Sequence, residues 1–214
     1  MRGAPPRGLT PSPFDRTKIR GPQKSRNLPL GIRRLVPTNF PTIQAAIDAS
    51  VDGDTVLVSE GTYFENIRYR GKAITVASLY LVDGDTTHID RTIIDGSKST
   101  DPDSCSVVYF VNGEDTTSVL CGLTIQGGKG THFFWFPPAP LIRGGGGVFC
   151  CAAGVRLVRN IIRHNRVIGK DAAAGGGVEA YEPARHPPDL FVVAAREIAY
   201  VRAFDLNDSC PEIR

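Results

Sequence analysis

Residues 145–150 read GGGVFC, and residues 175–180 read GGGVEA, thirty positions later. A second element recurs on a similar scale: LTIQGG at 123–128, NIIRHN at 160–165 and REIAYV at 196–201. The aligned isoleucines Ile125, Ile162 and Ile198 are 37 and 36 residues apart. Each interval holds a Gly-rich strand, a turn and an Ile-centred strand. Self-similarity at a period of roughly 20–50 residues marks a stack of like units. A unit this small, made of short strands, buries its inward side chains only against its neighbours. Successive units are then expected to pair in parallel and in register, each turn of chain supplying the crossover that parallel pairing needs. The expectation is an all-β solenoid.

Working outward, short β-branched runs precede the repeats: TVLV at 55–58, AITVA at 73–77, TII at 92–94, SVVYFV at 106–111 and VLCGLTI at 119–125. Turn residues follow most of them, among them Gly61, Asp95-Gly96, Asn112-Gly113 and Gly127-Gly128. Upstream, FPTIQAAIDASV at 40–51 changes period, with Ile43, Ala46, Ile47 and Val51 at helical spacing. Thr42 is placed to cap the start of this helix and Asp52-Gly53 to end it. One amphipathic helix ahead of a stack of strands reads as a cap, because the open end would otherwise expose unpaired edge groups and apolar core.

Residues 1–35 hold nine of the 25 Lys and Arg but only Asp15 of the 22 acids, a net charge of +8. Residues 36–214 are left with 16 bases and 21 acids, net −5. The first 35 residues also hold six Pro and four Gly without apolar periodicity, so they read as a disordered leader. The domain is expected over 36–204 and a tail over 205–214. The basic excess is confined to the leader, so the domain is not read as a nucleic-acid binder. No apolar run is long enough for a transmembrane helix, and no signal-peptide apolar core is visible. Five cysteines, none at C-x-x-C spacing, argue against a zinc ribbon.

The segment FPTIQAAIDASVDGDTVLVSEGTYFENI (40–67) resembles the N-terminal cap and first coil of bacterial pectin-lyase-like proteins. The matching features are T-I-Q-x-A-I-D, D-G-D-T-V-x-V and G-T-Y-x-E-N; KAITVAS, RTIIDG, CGLTIQGG and GGGVFC resemble later coils. The resemblance covers roughly 36–180 and implies a right-handed parallel β-helix with an N-terminal capping α-helix. It does not settle activity, because that fold hosts lyases, hydrolases, esterases and adhesins. The catalytic motifs of its methylesterases and polygalacturonases have no counterpart in this chain. The resemblance implies an exported or cell-surface protein binding carbohydrate or a surface partner. The alternative is a polysaccharide lyase or glycoside hydrolase acting on a pectin-like acidic polysaccharide. The chain ends in DLNDSCPEIR, inside a coil, which reads as a fragment able to self-associate through an uncapped end.

Asp83-Gly-Asp85, with Asp95, offers carboxylates at a spacing that can present oxygens to a hard cation such as Ca²⁺, though no cofactor is required by the sequence. The competing reading of Asp-Gly is a tight turn. Asn66 reads as a turn-stacking residue and His164 as an exposed turn. His88 lies within the acidic 83–90 stretch. Phe133, Phe134, Trp135 and Phe136 precede Pro137-Pro138, which reads as a loop whose aromatics could stack on sugar rings. Cys121 and Cys150 are expected to point inward, with Cys150 and Cys151 on opposite faces of one strand.

Overall fold

The computed structural model of the protein describes residues 31–134, 141–167, 176–181 and 199–202. The described residues begin inside the basic leader, at Gly31. Strand β1 (Arg33–Val36) pairs in parallel with β2 (Thr55–Val58), so the leader boundary expected at 35 falls too late. The buried Asp54 carboxylate explains the difference: it accepts from the Ile32 N–H at 2.9 Å and bonds the Arg34 guanidinium at 2.9–3.0 Å. Charge that looked solvated in the sequence is neutralised in place.

Helix α1 (Ile43–Ala49) buries Ile43, Ala46 and Ile47, as its periodicity requires, and Thr42 accepts from the Ala45 N–H. Val51 is exposed rather than part of the stripe, because the helix ends at Ser50. Two distant side chains hold the ends of α1. Glu65 accepts from the Ile43 and Gln44 N–H groups, both at 2.9 Å. Lys72 Nζ donates to the Ile47, Asp48 and Ser50 carbonyls at 2.7–2.8 Å. An acid at the N-terminus and a base at the C-terminus both complement the helix dipole.

From β2 onward the chain visits three sheets in rotation. After β2 come β3 (Gly61–Tyr63) and β4 (Ile67–Arg68), then β5 (Thr75–Ser78). Helices α2 (Tyr80–Asp83) and α3 (Thr87–Arg91) interrupt the second round before β6 (Thr92–Asp95), β7 (Ser104–Cys105) and β8 (Val108–Phe110). The third round holds β9 (Val119–Cys121), β10 (Thr124–Gln126), β11 (Gly130–Phe134), β12 (Leu141–Gly144) and β13 (Val148–Cys151). Then follow β14 (Gly154–Val158), β15 (Ile161–Ile162), β16 (Val178–Tyr181) and β17 (Ala199–Arg202). The first sheet runs β1-β2-β5-β9-β14-β17, the second β3-β6-β10-β15, the third β4-β8-β13-β16, and β7, β11 and β12 form a small antiparallel fourth. The molecule is therefore all-β with parallel sheets and few helices.

Register stacks like on like. Val56, Val76, Leu120 and Leu157 align across the first sheet. Tyr63, Ile94, Ile125 and Ile162 align across the second, and Ile67, Val108, Val148 and Val178 across the third. Ten of them are buried in one apolar core, and Tyr63 and Ile162 pack against it. Both repeats read from the sequence are thus real pairings, Ile125 with Ile162 and Val148 with Val178. The third copy departs from expectation: β17 pairs antiparallel with β14 in the first sheet, and Ile198 lies outside the described residues.

Polar side chains complete the stack where strands stop. Gln44 lies beside the edge strand β4 and serves both backbone groups of Arg68, accepting from its N–H at 2.8 Å and donating to its carbonyl at 3.2 Å. Asn160 accepts from the Leu123 N–H and donates to the Leu120 carbonyl; Asn165 does the same for Gly128 and Ile125. Asn66 donates to the Ser106 carbonyl at 2.7 Å, in keeping with its structural reading.

Replacing Glu65 with Ala strips two N–H groups of their acceptor at once and should lower stability by about 2 kcal/mol. Ile125→Ala opens a cavity in the centre of the stack and should remove about 3 kcal/mol. Chemical denaturation monitored by circular dichroism checks both, and a Glu65→Ala effect within error of zero would mean that the capping is idle.

Candidate functional site

Alternation along the first sheet sends one set of side chains inward and the other out. The outward row is Arg33, Thr55, Thr75, Val119 and Arg156, aligned strand to strand. It lines a cleft of about 690 Å³ that also takes in Ala73, Cys121 and Val158. Asp52, Gly53 and Thr117 flank the starts of the strands, and Leu81 of α2 stands on the opposite side. From β1 to β14 is four strand spacings, roughly 19 Å. The lining is mixed: hydroxyls of Thr55, Thr75 and Thr117, guanidinium groups of Arg33 and Arg156, and short apolar side chains between them.

Asp54, at the end of this cleft, is fully engaged. It accepts from the N–H groups of Val51 and Ile32 and from Arg34. The Val51 N–H chiefly, with Arg34 and Ile32, holds its carboxyl below the usual carboxylate range against the opposing effect of burial. Asp52 Oδ1 accepts from the Ala73 N–H at 2.9 Å.

Cys121 is buried but lies on the cleft side, not the core side that its phase with Leu123 and Ile125 predicts. Gly122, at a φ of 67°, turns the chain between β9 and β10 and reverses the alternation. Burial pushes the Cys121 thiol up to about 11, Arg156 opposing. Cys150 does point into the main core, and Cys151 faces the other way, as expected. Cys105, Cys121 and Cys150 are free thiols, whereas Cys151 is disulfide-bonded.

The carboxylates singled out for a cation are occupied by turns. Asp83 accepts from the Asp85 N–H, and Asp85 from the Thr87 N–H, at the junction of α2 and α3. These contacts lower both pKa values. Asp95 accepts from the Ser97 N–H and from Gln126 on the neighbouring strand. Its pKa is also lowered, the hydrogen bonds from Ser97 and Gln126 outweighing burial. Among the described residues no group of three or more His, Cys, Asp or Glu side chains is placed to hold a metal ion, and Asp83, Asp85 and Asp95 form none.

The first part of the aromatic segment, up to Phe134, is strand rather than the loop that its prolines predict. β11 and β12 form an antiparallel hairpin that also pairs with β7. Phe133 is 1% exposed, within a second apolar cluster with Tyr109, Phe149 and Cys151. Its ring centroid lies 5.2 Å from that of Phe149, so no sugar can reach its face. Phe134 closes the strand, while Trp135 and Phe136 lie outside the described residues. Asp103, His132 and Arg143 tie the hairpin down: His132 Nδ1 is 2.7 Å from Asp103, and Arg143 Nε donates to His132 Nε2 at 2.9 Å.

His88 is the titratable residue whose importance the sequence understated. Its Nδ1 lies 2.8 Å from Glu60 Oε1 and its Nε2 3.0 Å from Asp83 Oδ2. His164 sits at an exposed turn with a φ of 53°, above Gly127 at 76°, so the two share one left-handed corner of the stack. Among the described residues no helix is long and apolar enough to cross a membrane. Compared with known protein families, curated proteins and solved structures, the chain matches none of them.

Asp54 sets an acid limit on the fold. Its folded pKa lies below its unfolded value, so its contribution is complete above the unfolded value, near 3.9, and is lost as pH falls through the folded one. Asp54→Asn should cost about 3 kcal/mol at neutral pH by leaving Arg34 without its buried partner. Thermal unfolding followed from neutral pH to about pH 3 should show the variant losing less further stability on acidification than the parent.

Proposed function

We propose that the protein is a right-handed parallel β-helix whose outer cleft binds an extended acidic carbohydrate chain at the cell surface or outside the cell. The observation that carries this reading is the in-register outward row Arg33-Thr55-Thr75-Val119-Arg156 along one cleft. The return of the chain to three sheets whose pairings are parallel, β14 with β17 excepted, is what a β-helix requires, and parallel crossovers are right-handed almost without exception. A cleft running across strands repeats its contacts at about 4.8 Å, which suits a polymer better than a compact ligand. Threonine hydroxyls can both donate to and accept from sugar hydroxyls, and the exposed Arg33 favours carboxylated units.

Binding is favoured over turnover by the state of the cleft acids. Acid–base cleavage of a sugar chain needs carboxyl groups open to substrate across the scissile bond. Both Asp54 oxygens are committed to Ile32, Val51 and Arg34, and Asp52 Oδ1 to Ala73.

Calorimetry of the full chain against polygalacturonate and a neutral glucan tests this. The acidic polymer should bind and the neutral one should bind more weakly. Arg33→Ala should weaken the acidic polymer about fivefold, the value of one exposed charge contact. Binding should persist in a chelator, and no ultraviolet-absorbing unsaturated product should form. Equal affinity in the Arg33 variant would remove the cleft from consideration, and chelator-sensitive product formation would establish a calcium-dependent lyase instead.

A further inference from the structure

We propose that His88 is a proton-operated latch that fixes the α2 wall of the cleft, so that occupancy of the cleft is coupled to pH. The coupling to ligand rests on the binding role proposed above; the latch itself does not.

The wall is weakly attached everywhere else. None of the four α2 side chains is buried, and Leu81, which lines the cleft, is 46% exposed. At its start α2 is held by the Tyr80 N–H on Ser78 Oγ at 3.3 Å and by Tyr80 lying against Gly122. A Cβ at Gly122 would come within 2.9 Å of the Tyr80 ring, which shows how closely the two pack. At its end α2 turns through Gly84, at a φ of 76°, and the side-chain tie beyond that is Asp83 to His88. His88 in turn reaches Glu60, in the corner between β2 and β3. The imidazole therefore bridges the excursion that carries the wall to the body of the stack.

The bridge needs a proton. An imidazolium donates from both nitrogens, whereas neutral imidazole donates from one and presents a lone pair at the other. Loss of the proton leaves a carboxylate facing that lone pair, and one of the two ties is lost. The surrounding charges support the protonated form. Glu60 and Asp83 contact the ring, Asp85 lies at the α2–α3 junction, and Arg91 Nη1 is 3.5 Å from Glu60. Asp90 of α3 is turned to Arg163 at 3.4 Å, and Asp95 of β6 to Ser97 and Gln126, so neither replaces these partners. From β10, the Thr124 hydroxyl donates to the Ile89 carbonyl and fixes α3 itself. Partial burial opposes the charge on His88, but the hydrogen bonds to Asp83 and Glu60 outweigh it and raise the pKa above the usual imidazole value. With a raised folded pKa, the tie is complete below the unfolded value and is lost as pH rises through the folded one.

The test is an NMR titration of the uniformly labelled full chain between about pH 5 and about pH 8, across the imidazole range. His88 should titrate above the ordinary histidine midpoint, near 6.5, and the Leu81 methyl signals should move with the same midpoint. In Glu60→Gln the His88 midpoint should fall and the Leu81 response should shrink with it. Leu81 signals that stay fixed while His88 titrates in the parent chain would overturn the latch, whatever the variants do. Polygalacturonate affinity should be several-fold higher at the acid end and lose that dependence in His88→Asn. If no polysaccharide binds at any pH, the proposed binding role fails, and the ligand-free titration still decides the latch.

Discussion

Everything in this molecule depends on parallel strands stacking in register with like side chains above one another. Backbone hydrogen bonding sets the spacing, and each inward side chain is then buried by its counterparts on neighbouring strands rather than by a separate layer. The aligned rows, from Val56 to Leu157, Tyr63 to Ile162 and Ile67 to Val178, are one continuous core. Such a core has no natural stopping point. Its end must be closed by something that satisfies both apolar surface and strand-edge polar groups.

Helix α1 meets both needs at the N-terminal end. Its apolar face covers the end of the core, and Gln44 from the same helix supplies the donor and acceptor that the edge of β4 lacks. Glu65 and Lys72 then hold the helix from the rounds beneath, one at each pole. The two anchors come from different strand connections, so cap and stack stabilise each other. Asp54 performs the same service for β1, drawing two residues of a basic segment into the sheet through one buried carboxylate.

With inward positions given over to stacking, the outer face is where ligand contacts can vary. On the first sheet the outward row is open and forms the cleft; on the third it is closed by the β11–β12 hairpin, which buries Phe133 against Phe149. The aromatic side chain that looks most like a sugar platform is therefore core, and the shallow threonine–arginine row is the accessible surface. The α2–α3 excursion completes the cleft and holds His88 between two carboxylates from different parts of the chain.

The periodicity of short β-branched runs, the repeats at Val148/Val178 and Ile125/Ile162, and the helix at 43–49 were legible from the amino acids alone. They are set by local alternation and by the need of a small repeating unit to bury itself on its neighbours. The role of Asn66 was legible for the same reason. The burial of Phe133, the outward turn of Cys121 and the cleft itself were not. Each depends on which strand lies alongside, or on one left-handed glycine that reverses a phase. The pairing of His88 with Glu60, 28 residues away, likewise has no local signature. Local sequence determines which side chains face in and which face out along a strand. Only the tertiary stacking decides which outward faces are covered, because that depends on chain segments brought together across the fold.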